Sequence, residues 1–580
     1  AAAGRGAHRA GEGLGVGRRV GAHAQPLGGG DVLATGEADA ERAHAERQLA
    51  RSERVKDFIL ALFREQDPIA RAKATARSPI DLIRDGIAAV DASLAGEPEL
   101  QADLLRDLGE IQVNLDDRAG GEATLKRALD LAAQREGDGG SAAAEALAAY
   151  ADAVYATGDI GKAAALFRDG VERLRATHGA DDPKTAHAES RLATLEMVGG
   201  HYDEAERLAR HAIGVYRKVY GSESAELAPI LSTLGNIQQE TGHLSEALDT
   251  YGEALAIVTR IDGGEHVRTV ALRARIGDVD RSLRRFDDGL ASYETALRIE
   301  RAQLPPDHAI IGGTLLRLGD LQRRMGRYDD ADRSLSESLA ILGKKGTHSG
   351  QYAQALQFHA DLARAQGRAD VAVERYRASF DVFRETVGDG VYTWLTALKL
   401  VEGLIETGRL DEADQIAVDA VARLKRVADD NDYDVAYSSS VMGALRRAQG
   451  RDAEAAALFR TNLELLARIY GDAHSEVAQA RVALAGCLVA LREEEAHREA
   501  AVLLETAKAA FEAPALKDDD GTERFLGVLY LERATLRHDT GDIAGARRDI
   551  ADAIRRLQAP ADARALKRAR TLGRSLDVRA

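Results

Sequence analysis

The sequence predicts an all-α fold, a solenoid of antiparallel helix hairpins. Three observations predict it. A phrase such as TGHLSEALDTYGEALAI at 241–257 returns as GRYDDADRSLSESLA at 326–340, GRLDEADQIAVDAVA at 408–422 and GRDAEAAALFRTNLE at 450–464. Self-similarity at a fixed step is the mark of a repeat architecture. Aromatic residues are only 4% of a chain that is 45% apolar, and Ala and Leu carry that apolar share, which favours closely packed helices. The 580 residues exceed what one compact core holds, leaving several domains or one extended array.

Residues 1–36 are rich in Gly, Ala, Arg and His with no hydrophobic period, and are expected to be disordered because they cannot repay their backbone entropy. GEGLGVG at 11–17 lacks the preceding strand and following helix of a phosphate loop. Residues 37–98 are expected to form a helical lead-in. Val55, Phe58, Ile59, Leu62 and Phe63 make a helical apolar stripe that Asp67-Pro68 ends, and Ser78-Pro79 starts a further helix with Ile80, Ile83, Ile87 and Val90 facing inward.

Residues 99–511 are expected to be an array of about ten units. With Gly242 as phase marker, equivalent positions are Asp116, Gly158, Gly200, Arg284, Gly326, Gly367, Gly408, Gly450 and Arg492, 41 or 42 residues apart. Five residues past the marker stand Gly121, Ala163, Ala205, Ala247, Gly289, Ala331, Ala372, Ala413 and Ala455; the column breaks at His497 and returns at Ala546. Nine past the marker the residue is mostly bulky, as in Phe167, Tyr251, Tyr293 and Tyr376, and seven before it is small again, as in Gly109, Gly235, Gly277 and Gly319. Two helices approach closely only where side chains shrink, and the turn between them favours a left-handed residue. Residues 512–521 (EAPALKDDDG) are expected to be an acidic insertion, and 522–580 a degenerate last repeat with a capping tail.

The pattern Leu234-Gly235, Gly242, Leu244, Ala247 resembles the tetratricopeptide repeat, in the long 42-residue form of kinesin-light-chain-type arrays. The resemblance implies a right-handed superhelix that binds protein or peptide partners along a concave groove. Segments 53–68, 78–94 and 97–112 are similar to the stretch joining catalytic domain to repeats in bacterial serine/threonine protein kinases, whose own catalytic motifs are absent here. That resemblance implies the interaction half of such a kinase, or a peptide-sensing regulator, as alternatives to a free-standing scaffold.

Charge and motifs narrow the function. A net charge of −16 argues against a general nucleic-acid binder, and the single Cys487, between apolar neighbours, against a disulfide or Cys-rich zinc site. With no long apolar run and no signal peptide, a cytoplasmic protein is expected, or an extracytoplasmic one if an upstream anchor exists. No catalytic motif, cofactor or metal site is expected. His266, His308 and His474 share a column with Asp182 and Ser224, which marks helix caps rather than metal ligands.

The candidate groove comes from two columns. Six residues before the marker stand Glu110, Asp152, Asn236, Asp278, Asp320, Asp361 and Glu402, and three later Tyr155, Gln239, Arg281, Arg323 and Arg364. By the family resemblance the first column lines the concave groove. Asp278–Arg281, Asp320–Arg323 and Asp361–Arg364 are then expected as i, i+3 pairs. The groove would favour peptides with basic and apolar residues, and reversing Asp320 and Asp361 to Lys is expected to alter partner binding more than melting temperature; the alternative is a self-neutralised face.

Overall fold

The computed structural model describes residues 78–94, 96–136, 140–344, 346–427, 432–513, 521–558 and 562–577. The expectations for 1–36, for the helix over 37–66 and for most of the 512–521 insertion lie outside the described residues. Within them every regular element is an α-helix, and the chain is an all-α helical repeat solenoid. It divides into two compact units, residues up to Leu195 and residues from Glu196 onward.

In the first unit α1 (Pro79–Ser93) begins at Ser78, whose hydroxyl accepts from the Asp81 N–H while the Asp81 carboxylate accepts from the Ser78 N–H, a reciprocal capping box. Its inward side is Val90, fully buried, with Ile83 and Ile87 packed on the same cluster and Ile80 half-buried. Then come α2 (Pro98–Asn114) with α3 (Arg118–Glu136), α4 (Ser141–Thr157) with α5 (Ile160–His178), and α6 (Pro183–Val198).

The second unit opens with α7 (Tyr202–Tyr220) and continues as hairpins. These are α8 (Leu227–Glu240) with α9 (Leu244–Asp262), α10 (Arg268–Ser282) with α11 (Phe286–Gln303), α12 (Ala309–Arg324) with α13 (Tyr328–Lys344), and α14 (Gly350–Ala365) with α15 (Ala369–Thr386). After them come α16 (Val391–Glu406) with α17 (Leu410–Val427), α18 (Asp432–Ala448) with α19 (Asp452–Tyr470), α20 (Ser475–Leu491) with α21 (Glu494–Phe511), and α22 (Thr522–Asp539) with α23 (Ile543–Arg556). A last helix, α24 (Ala563–Ser575), lays Ala569 against the same core as α20 to α23.

The small-residue columns are the places where helices touch. Ala163, Ala205, Ala247, Ala331, Ala372, Ala413, Ala455 and Ala546 have no exposed surface. A methyl group on Gly235 or Gly277 would stand 2.7 Å from the ring of Tyr251 or Tyr293, and one on Gly319 2.6 Å from Leu335. Each large residue on a second helix therefore fills the notch left by a missing side chain on the first. The break at His497 is a one-residue slip: Ala496 and Ala500 take the buried small positions, and Leu504, Ala507 and Phe511 follow them.

Polar clasps reinforce the same contact. The hydroxyls of Thr124, Thr250 and Ser334 donate to the side-chain carbonyls of Gln112, Gln238 and Gln322 at 2.7, 2.8 and 2.8 Å, each pair 12 residues apart. The amide oxygens are satisfied this way, while the Nε2 atoms of Gln112 and Gln238 donate to the carboxylates of Asp117 and Glu246 at 3.1 and 3.3 Å.

The marker residue is left-handed whatever its identity. Gly158, Gly242, Gly326 and Gly450 have positive φ, and so do Asp116 (φ 68°), Arg284 (φ 61°) and Arg492 (φ 55°), the positions where the glycine is missing. A second glycine column, which sequence reading passes over, ends second helices at Gly179, Gly221, Gly263 and Gly471. A side chain in the left-handed region costs ~1–2 kcal/mol, offset in part by the unfolded-state entropy of glycine. Arg492→Gly is therefore expected to raise the unfolding free energy by about 0.5–1 kcal/mol in urea denaturation; no gain would mean the turn carries no strain.

Candidate functional site

In the shared column His308 and His474 are the N-caps of their helices, and His266 makes the same bond from the residue before the N-cap Val267. The Nδ1 atoms of His266, His308 and His474 accept from the N–H groups of Arg268, Ile310 and Glu476 at 3.2, 3.3 and 3.3 Å. Asp182 and Ser224 do the same for Lys184 and Glu226 at 2.8 and 3.3 Å. Cys487 is buried in the apolar core, and burial pushes its thiol up to about 11, far from a reactive thiolate at neutral pH.

In the first unit, α2, α4 and α6 present one face to an open groove of about 890 Å³. The groove brings together Glu110 and Val113 of α2, Asp152 and Tyr155 of α4, and His187 and Arg191 of α6. Arg191 organises the middle: its Nε donates to the Asp152 carboxylate at 2.5 Å, and its guanidinium lies over the Tyr155 ring, 5.4 Å from the centroid. Desolvation holds the Glu110 carboxyl above its ordinary range; Arg106 pulls it back, and Asp107 and Asp152 push it up further. No ion pair or side-chain hydrogen bond engages Glu110 among the described residues. Desolvation lowers the His187 imidazole, Asp152 opposing and Arg191 assisting, so it is held toward its neutral form.

In the second unit the same columns are spent on one another. Asn236 and Gln239 accept from the Tyr251 hydroxyl at 2.6 and 3.3 Å. Asp278, 6% exposed, accepts from the Tyr293 hydroxyl at 2.7 Å and from Arg317 Nε at 3.2 Å. Asp320, 1% exposed, is gripped by Arg323 at 2.6 Å, Arg324 at 3.0 Å and Arg281 at 3.3 Å. Tyr376 donates to Asp361, which Lys399 also approaches at 3.2 Å.

The expected i, i+3 pairs are only partly made. Asp320–Arg323 forms, and Asp278–Arg281 is loose at 3.8 Å. The expected Asp361–Arg364 pairing gives way to a link with the next repeat: Arg364 reaches Glu402 at 2.6 Å and Glu406 at 2.7 Å. The cause is geometric. Neighbouring first helices in the stack bring residues 38 or 39 apart face to face, as in Arg317–Asp278 and Arg281–Asp320, and a long guanidinium reaches the next helix as easily as the next turn of its own. The tyrosine partners were available to sequence reading: Tyr251, Tyr293 and Tyr376 each stand 15 residues after the polar residue they bind.

Comparison with known proteins places this arrangement. The tetratricopeptide repeat family model matches residues 184–260, 267–344 and 312–385. No curated protein matches the sequence. Solved structures resemble parts of the chain. One is BtubC (BKLC) from P. vanneervenii, 25% identical, covering 39% of this chain and 92% of that one, TM-score 0.34. Another is a tetratricopeptide repeat protein from Parabacteroides merdae, 18% identical, covering 48% and 93%, TM-score 0.35. A third is the apo form of RapI, 14% identical, covering 63% and 98%, TM-score 0.45. Residues 184–260 and 267–385 are thus tetratricopeptide repeats, and the same small-residue hairpin contacts recur on both sides of them.

Proposed function

We propose that the protein is a non-catalytic scaffold for protein–protein interaction, and that the groove on α2, α4 and α6 takes an extended partner segment carrying basic and apolar residues. The observation that carries this is the Glu110 carboxylate, free of any ion pair among the described residues, in a groove walled by Val113 and Tyr155. A basic side chain entering there would restore the charge balance that desolvation disturbs, and its stem would lie on the Tyr155 ring. On α10, α12, α14 and α16 the charged residues of the first-helix face are engaged with each other, so they favour holding the stack together. No helix among the described residues is long and apolar enough to cross a membrane.

The test is a peptide array of tiled basic–apolar, acidic–apolar and neutral sequences probed with the full chain and with a Glu110→Lys, Tyr155→Ala variant. The expected result is retention on basic–apolar spots, weakened about tenfold in the variant at unchanged melting temperature. Preference for acidic spots, or indifference to the variant, overturns the assignment of the groove.

A further inference from the structure

The ion-pair ladder of the second unit has an end. The column that holds Asp278 on α10, Asp320 on α12, Asp361 on α14 and Glu402 on α16 falls to Ala444 on α18 and Gly486 on α20. Where the side chains shrink, a cavity of about 400 Å³ opens against α22. Tyr433 and Tyr437 of α18 and Phe525 and Val528 of α22 line it with rings and apolar surface. Tyr433 and Val528 are not fully covered, so the cavity communicates with solvent.

Its charged lining is asymmetric. Arg447 is committed: it passes over Gly486, where a methyl group would stand 2.5 Å from its Nη2, and donates to the buried Glu532 at 2.9 Å. Arg524 is committed too, its Nε donating to the buried Asp562 at 2.5 Å. Glu476, at the other wall, has neither an ion pair nor a side-chain hydrogen bond among the described residues. The His474 imidazole is the nearby group that favours its charged form, and burial outweighs it, raising the carboxyl above its ordinary range. Asp278, Asp320, Glu402 and Glu532 each have a cationic partner.

We propose that this cavity binds the side chain of a lysine or arginine in an extended partner peptide, its charge on Glu476 and its methylene stem between Tyr433, Tyr437 and Val528. Charge complementarity selects the occupant: Arg447 and Arg524 are each paired with a carboxylate outside the lining, Glu532 and Asp562, which leaves Glu476 as the lining charge without a counterion among the described residues. Aromatic faces beside an unpaired carboxylate suit a cation with an apolar stem better than a hydrated ion. The proposal rests on the peptide-binding reading above but uses a separate site, on α18, α20 and α22, so the two fail independently.

The test uses the full chain in the Glu110→Lys, Tyr155→Ala background, which silences the first groove. Fluorescein-labelled peptides Gly-Ser-Gly-Leu-X-Leu-Gly-Ser-Gly, with X lysine, arginine, norleucine or glutamate, are titrated by fluorescence polarisation. Lysine and arginine probes are expected to bind at least about tenfold more tightly than norleucine or glutamate, and Glu476→Gln to reduce that preference to about twofold or less. No preference for the cationic probes, or a preference that survives Glu476→Gln, overturns the proposal. n-Butylammonium at matched concentration separates the sources of charge: failure to displace the lysine probe supports a peptide segment, and equal competition overturns it in favour of a free small cation.

Discussion

Asp320→Ala is expected to lower the unfolding free energy by about 3 kcal/mol, the lower end of the range for breaking a buried pair, since its three guanidinium partners keep some contact with water. The carboxylate is 1% exposed and holds Arg281, Arg323 and Arg324, which belong to two successive first helices. Removing it leaves three cations crowded on one face with nothing between them. Urea denaturation of the variant measures the loss, and a change below about 1 kcal/mol would show that the cluster adds little to the stack. Burial opposes ionisation of Asp320, but the three arginines more than compensate and hold its carboxyl at about 2. A depressed folded value contributes stability that is present above the unfolded value and lost as pH falls through the folded one. For Asp320 that window runs from about pH 4 down to about pH 2, and Asp320→Asn is expected to flatten the acid limb there. Sequence columns alone led to the expectation that Asp320→Lys plus Asp361→Lys would change partner binding more than melting temperature. With Asp320 buried beneath three arginines, the double variant is expected to lose stability first.

The second large effect is at Glu300, at the joint of α11 and α12. Its side chain has no exposed surface; the Thr314 hydroxyl donates to Oε1 at 2.6 Å, and Oε2 has no partner. Desolvation raises the carboxyl to about 7, against the Thr314 hydrogen bond and the nearby Arg317 and Arg301, which lower it. The sign is opposite to that of Asp320. A carboxyl whose folded value is raised keeps its proton in the native state after the unfolded chain has released it, so stability falls as pH rises from the unfolded value to the folded one. At 1.36 kcal/mol per unit, the wild type is expected to lose about 2–3 kcal/mol between pH 5 and pH 8 relative to Glu300→Gln. Gln keeps the acceptor for Thr314 and cannot ionise. Parallel pH slopes for the two proteins in urea denaturation would show that Glu300 ionises in place without penalty.

The sequence by itself determined the hairpins. A step of 41 or 42 residues, a marker that turns left-handed and columns reduced to hydrogen or methyl are local requirements of one helix lying on the next, so they are written in every unit and survive substitution: Asp116, Arg284 and Arg492 turn left-handed without glycine. The caps at His308 and His474 are local for the same reason, since a cap bonds a backbone two residues away. Part of the candidate site was legible too, because Glu110, Asp152 and Tyr155 share columns and do meet in one groove. Only the tertiary structure decided which charged columns are free and which are spent. That depends on reach between first helices 38 or 39 residues apart, where Arg364 chooses Glu402 over the Asp361 of its own helix, and on whether a small residue such as Gly486 lets Arg447 pass to Glu532. An electrostatic pairing is set by distance through space and by exclusion of water, and neither is a property of position along the chain.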